Sequence, residues 1–329
     1  PADDDVDLPD EGHLASFDGA TGWLNSEPLT PEGLRGRVVL VDFWTYTCVN
    51  WLRTLPYVRA WAAKYAGAGL TVVGVHTPEF GFERDVDNVV AHTRSLGVVY
   101  PVAIDSEYGV WRAFGNHFWP AIYLADAEGR IRFHHFGEGE YAMTEMVIQQ
   151  LLLDAGAEDI GQDLVDVQPA GLEVAAEWRT LRSSETYLGY GQTTGFASGR
   201  SAAFDQPHTY AVADGLPLNA WGLAGTWTVA RHAAVLNAPG GRIAFQFHAR
   251  DVNLVMGPAS RGAAIRYRVY LDGQLALGAL GSDVSPDGSG IVDDQGTYQL
   301  IRTPGQVAER RFEIEFLDSG VEAYCFTFG

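Results

Sequence analysis

The pattern of apolar residues changes character a little past the middle of the chain, and that change divides it into two kinds of structure. Before residue 156, apolar runs alternate with segments whose apolar residues recur at helical spacing. Val38–Phe43 is a continuous run of the kind found in a strand covered on both faces. From Cys48 to Tyr65, Leu52, Leu55, Val58, Trp61, Ala62 and Tyr65 follow a helical period, ended by Gly67 and Gly69. Leu70–Val75 repeats the strand pattern, Asp85–Leu96 reads as a second helix closed by Gly97, and Asp105–Phe114 as a short third. Ala121–Ala125 and Ile131–Phe136 flank the turn-forming stretch Asp126-Ala-Glu-Gly129 and read as a hairpin. Thr144–Ala155 closes the region as a helix. That order predicts an α/β sandwich with a mixed sheet.

After a mixed stretch from Gly156 to about Glu185, with one helical piece expected around Leu172–Leu181, helical spacing disappears. Strand-like runs recur at Gly225–Ala230, Arg242–His248, Asn253–Met256, Ile265–Leu271, Tyr298–Ile301, Arg311–Leu317 and Glu322–Phe328. Turn signals such as Pro239-Gly-Gly241, Asp272-Gly273, Pro286-Asp-Gly288 and Asp318-Ser-Gly320 separate them. Ile243, Phe245 and Phe247, like Phe312, Ile314 and Phe316, alternate as one buried face. Many antiparallel strands without helices predict an all-β sandwich of jelly-roll type.

Composition narrows the function. A length of 329 residues fits two domains. The formal charge of −20 argues against nucleic acid or an anionic membrane as partner. No apolar stretch approaches the roughly 18–20 residues that span a bilayer. No basic and then apolar leader is visible, although the chain starts at Pro1 without a Met, and Asp3-Asp4-Asp5 reads as a solvated acidic lead. The two cysteines, Cys48 and Cys325, make neither a disulfide framework nor a cysteine-built zinc site. Two lone thiols fit a reducing compartment, so the cytoplasm is the expected location.

Cys48 carries the chemistry. A cysteine at the first turn of a helix faces unpaired backbone N–H groups and the positive end of the helix dipole, both of which favour the reactive thiolate. Asp42, six residues earlier between Val41 and Phe43, is an acid inside an apolar run, and in a redox site it can relay a proton. Pro56 is expected to kink the helix.

Asp42-Phe-Trp44 ahead of Cys48, the helix proline Pro56 and Trp119-Pro120 before a hairpin strand resemble the thioredoxin fold. Gly74-Val-His76-Thr-Pro78-Glu79-Phe and His117-Phe-Trp-Pro120 are similar to the thioredoxin-like (TlpA/AhpC-TSA type) domain of DipZ proteins. Thr186-Tyr-Leu-Gly-Tyr190, Phe247-His-Ala-Arg-Asp251-Val and Ala323-Tyr-Cys-Phe-Thr-Phe-Gly329 resemble the carbohydrate-binding-module-like β-sandwich that follows it there. The resemblance implies a thioredoxin-like domain over 1–157, a linker over 158–182 and a β-sandwich over 183–329. It also implies a cis Pro120 packed against the thiol as the substrate-backbone contact, Cys48 as nucleophile, no cofactor, and an extracytoplasmic alternative for location. The chain departs from the family at one position: where the redox members have C-x-x-C, it has Cys48-Val-Asn-Trp51. Trp51 cannot resolve a mixed disulfide as a second thiolate would.

Three readings follow. Cys48 is a monothiol oxidoreductase or peroxidase resolved by an external thiol or redox protein; Thr45-x-x-Cys48 matches the end of the peroxiredoxin signature, with Val41 where its proline belongs. Alternatively the domain is a redox-inactive binding protein, or Cys48 is inert and the sandwich binds carbohydrate or protein. Trp44, Trp51, Trp119 and Phe118 are expected as an aromatic collar around the thiol, with Thr45, Thr47, His76 and Glu79 in the same pocket. Trp221 and Trp227 are candidates for stacking on sugar rings, though aromatics in a sandwich more often form its core. His134 and His135, adjacent on a strand, point to opposite faces and are not expected to share a metal ion. Asp272-Gly273 and Asp293-Asp294 read as turns, and Cys325 as a strand residue without a role at Cys48.

Overall fold

The computed structural model describes residues 7–198 and 202–329, so Asp3-Asp4-Asp5 lies outside the described residues. The chain forms two compact units, Pro1–Glu173 and Val174–Gly329. Among the described residues no helix is long and apolar enough to cross a membrane.

The first unit holds strands β1 (Gly22–Leu24), β2 (Val38–Trp44), β3 (Leu70–His76), β4 (Val102–Ile104), β5 (Ala121–Ala125) and β6 (Ile131–Phe136), in the sheet order β1-β4-β3-β2-β5-β6. β2, β3 and β4 are parallel neighbours; β1, β5 and β6 join antiparallel. The helices are α1 (Val49–Tyr65), α2 (Val86–Ser95), α3 (Gly109–Ala113) and α4 (Tyr141–Asp154). This is the thioredoxin-like α/β sandwich. β2 is buried at every position because both faces are covered. Val39, Val41 and Phe43 pack with Val73, Val75, Val110 and Tyr123 on one face. Leu40, Asp42 and Trp44 alternate onto the other, where the buried side of α1 lies. α1 continues across Pro56.

Residues 158–173, expected as linker, pack on the first unit. The Glu145 carboxylate on α4 accepts from Val165 N–H at 2.9 and 3.0 Å, and Arg59 of α1 pairs with Glu173 at 2.7 Å. The helix expected around Leu172–Leu181 is only a 3-10 turn, Gly171–Glu173.

The second unit is an antiparallel sandwich of β7 (Thr186–Tyr187), β8 (His208–Tyr210), β9 (Trp221–Val229), β10 (Ala234–Leu236), β11 (Gly241–His248), β12 (Asp251–Pro258), β13 (Ile265–Leu271), β14 (Gln274–Leu275), β15 (Ser289–Val292), β16 (Gly296–Arg302), β17 (Glu309–Phe316) and β18 (Val321–Phe328). The sheet curls on itself through β9. Residues 221–224 of that strand pair with β11, and 227–229 with β10. The strand turns between the leaves at Gly225, whose φ of +94° and 3.0 Å approach of a would-be Cβ to Gly241 Cα leave no room for a side chain. Phe245 on β11 and Phe312 on β17 meet Phe326 on β18 across the core, at 5.1 and 5.8 Å between ring centroids.

Candidate active site

Cys48 is the N-cap of α1, in extended conformation (φ −71°, ψ 110°), with no acidic residue in the helix's first turn. It is half-buried, and its Sγ lies 3.8 Å from the carbonyl oxygen of Trp119. The Trp119–Pro120 peptide bond is cis. Pro120 O accepts from Gly137 N–H at 2.9 Å, and Trp119 Nε1–H donates to Thr77 O at 3.0 Å. The thiol therefore faces a loop fastened to the ends of β3 and β6. Thr47, just before it, donates both N–H (3.1 Å) and Oγ1–H (2.5 Å) to Glu83 Oε1.

Beneath the loop lies a buried polar layer. Asp42 is fully buried, and its Oδ2 accepts from Trp51 Nε1–H at 2.8 Å, while Oδ1 has no hydrogen-bond partner among the described residues. Burial pushes the Asp42 carboxyl up to about 7, against the smaller opposing effect of the Trp51 hydrogen bond. Trp51 stacks on Trp44 at 4.3 Å, and Trp44 meets the His76 ring edge-on at 4.7 Å. Gly74 makes this possible: a Cβ there would lie 2.9 Å from Trp44 Nε1 and 3.1 Å from the Tyr100 ring. Burial holds His76 down to about 3, so its imidazole is neutral at physiological pH. Burial, then the nearby charge of Asp42, raises the Tyr100 hydroxyl well above its ordinary value.

These observations correct several expectations. Trp51 is wholly buried between α1 and β2, its indole N–H on Asp42. The rings expected as a collar fall into separate pairs. Trp44 and Trp51 lie below as a stacked pair, Trp119 leans on Trp111 at 4.4 Å, and Phe118, 49% exposed, stacks on Phe136, 40% exposed. Asp42, expected as the relay to Cys48, accepts its one hydrogen bond among the described residues from the Trp51 indole N–H, a group that cannot itself pass a proton on. Thr45 is fully buried beside Glu83.

Glu79 contributes its backbone N–H to Glu83. Glu83 itself, with no distinguishing signal in the sequence, is the buried acid of this loop. Trp221 and Trp227 are completely buried in the sandwich core, so neither presents a face to a sugar ring. His134 Nδ1 bonds Glu11 at 2.7 Å and His135 Nε2 bonds Glu138 O at 3.3 Å; no cluster able to hold a metal ion occurs among the described residues. Cys325 is buried on β18.

Residues 183–329 match the family described as the thioredoxin-like C-terminal domain, and they form the β-sandwich rather than the thioredoxin fold. The chain is 32% identical over 331 residues to Protein DipZ of Mycobacterium bovis, and equally to that of Mycobacterium tuberculosis. The alignment covers 97% of this chain and 43% of DipZ, so the chain spans less than half the length of these relatives. The thiol-disulfide oxidoreductase YkuV of Bacillus subtilis is 26% identical over 141 residues, 43% of this chain and 95% of its own. A solved thioredoxin-like protein in the oxidised form aligns with 44% of this chain and 96% of its own, at 28% identity and a TM-score of 0.41.

Proposed function

We propose, from the premise that this chain is a thioredoxin-like domain and β-sandwich similar to the C-terminal region of DipZ proteins, that it is a monothiol redox protein. Its nucleophile is Cys48, and its turnover depends on a thiol supplied from outside. The observation that carries the reading is the pairing of a half-buried N-cap Cys48, facing the Trp119–Pro120 loop, with a wholly buried Trp51 where a resolving cysteine would stand.

The Cys48 thiolate attacks one sulfur of a disulfide R–S–S–R′, forming Cys48–S–S–R and releasing R′–S⁻. A second thiolate, R″–S⁻, then attacks the R sulfur, forms R–S–S–R″ and returns Cys48 as thiolate. The two electrons come from the external thiol, and protons exchange with solvent at the half-buried sulfur. Asp42 is a structural partner of Trp51 in this scheme. Thr45, enclosed beside Glu83, is badly placed to polarise a peroxide, which favours disulfide exchange over peroxide reduction.

Incubating the full chain with oxidised glutathione tests the reading by intact mass. One glutathionyl adduct is expected, released by added thiol and lost in Cys48→Ser. Alkylation of Cys48 should titrate below the roughly 8.5 of an ordinary thiol. No adduct, together with a titration at or above that value, leaves a redox-inactive binding domain instead.

A further inference from the structure

The segment that carries the thiol is fastened from one side by a single buried carboxylate. Glu83 lies in the 3-10 turn Gly81–Arg84 and is fully buried. Its Oε1 accepts from Thr47 N–H at 3.1 Å and Thr47 Oγ1–H at 2.5 Å, and its Oε2 from Glu79 N–H at 2.8 Å and Phe80 N–H at 2.9 Å. Four donors converge on two oxygens. An ionised carboxylate is a pure acceptor and satisfies all four, whereas an amide would turn an NH₂ toward two of them. A carboxylate this deep is costly, and the hydrogen bonds offset that cost only because the two loops are held in one arrangement. One loop ends at Thr47, directly before Cys48; the other follows β3.

We propose that Glu83 is the positioning residue for Cys48: by locking Thr47 to the 79–80 backbone it keeps the sulfur over the first turn of α1 and opposite Trp119 O. The proposal rests on Cys48 being the reactive thiol argued above. It also has a sign of its own. Burial raises the Glu83 carboxyl above its ordinary value; where it is ionised its charge opposes a thiolate through space, while the geometry it enforces favours one, so charge and position pull Cys48 in opposite directions.

Variants separate the two. Glu83→Asp keeps the charge but is one methylene too short to span both loops. Glu83→Gln keeps the length and can still accept from Thr47, but it loses the charge and turns an NH₂ toward the Glu79 and Phe80 N–H donors. Thr47→Val removes only the hydroxyl donor. Alkylation rates of Cys48 with iodoacetamide are measured across pH on the full chain, with circular dichroism and melting as checks on folding. Glu83→Asp should move the Cys48 titration upward toward an ordinary thiol and slow alkylation at pH 7 by about three- to tenfold. Thr47→Val should act in the same direction by about twofold, and Glu83→Gln, which keeps the Thr47 half of the lock but not the 79–80 half, should move it upward by less than Glu83→Asp. If Glu83→Asp does not fold, Thr47→Val decides.

Profiles that superimpose on wild type, whatever the melting temperature, reduce Glu83 to a structural residue and overturn the proposal. A downward shift confined to Glu83→Gln overturns it as well, in favour of charge alone. Failure of wild-type Cys48 to form a glutathionyl adduct sinks the monothiol reading instead, and is recorded independently of any shift between variants.

Discussion

Asp42 in the first unit and Asp251 in the second are both buried strand aspartates, yet one is met by an indole N–H and the other by two guanidinium groups. Asp251 receives Arg250 through Nε (3.1 Å) and Nη2 (2.6 Å), and Arg302 through Nε and Nη2 (2.9 Å each). Burial would raise its carboxyl, but hydrogen bonds from Arg302 and Arg250 outweigh that and hold it below the usual range. Asp42 has no cation against it, and burial prevails. The sandwich thus neutralises its buried acid as a structural element does. The thioredoxin-like unit leaves its acid near neutrality against an indole N–H, with no cation to hold a charge there.

The sharpest test of that contrast is the pH dependence of Asp42→Asn. Folded, Asp42 keeps its proton up to about pH 7; unfolded, only to its ordinary 3.8. Between those values unfolding releases a proton, so the stability that Asp42 contributes is fullest below pH 4 and is lost as pH rises through 7. The shift corresponds to about 4 kcal/mol. Asn cannot ionise, and its carbonyl can still accept from Trp51. Urea unfolding of both proteins from pH 4 to pH 8 should show the variant gaining on wild type by about 4 kcal/mol across the range. Other buried acids, Glu83 and Glu138 among them, are common to both and cancel. Parallel curves would show that Asp42 is ionised in the folded state, like Asp251.

Asp251→Ala approaches the contrast from the other side. Removing it strands two guanidinium groups that retain some solvent exposure, so the loss belongs at the low end for a broken buried pair, about 3 kcal/mol. The loss should be constant between pH 6 and 9, because the Asp251 carboxyl is held low and stays ionised there. A loss that varies over that window would mean that the sandwich, too, carries a titrating acid.

What the sequence disclosed follows the reach of each signal. Val38–Phe43, the helical spacing from Leu52 to Tyr65 and the alternation of Phe312, Ile314 and Phe316 are local patterns, and they became β2, α1 and β17. β1 and β4, three residues each, and β7 and β14, two each, are too short for any period to show. At the site, Cys48 and the turn before α1 were legible because a strand leading into a helix is local. Glu83 was not, since its role lies in bonds to Thr47, thirty-six residues away. Trp51 posed the opposite difficulty. Its identity excluded a second thiol, but its place on Asp42 is fixed by how α1 packs against β2.

The smallest expected effect belongs to the second cysteine, and it extends the comparison from acids to thiols. Cys325 lies on β18 opposite Val255 and Tyr187, between core strands, with 1% of its surface exposed and its Sγ 3.4 Å from Phe326 O. Among the described residues its strand neighbours are β7 and β12 rather than a helix terminus, and burial among apolar neighbours disfavours a thiolate. It should behave as a small apolar residue. Cys325→Ala should then cost about 1 kcal/mol for the lost sulfur, the ordinary size for a modest core truncation. The native protein should give one reactive thiol equivalent before and after the change, with a second appearing only when wild type is denatured. If Cys325→Ala removes the native thiol signal, or native wild type yields two equivalents, then the reactive sulfur is not confined to Cys48, and the division between a reactive unit and a structural one fails.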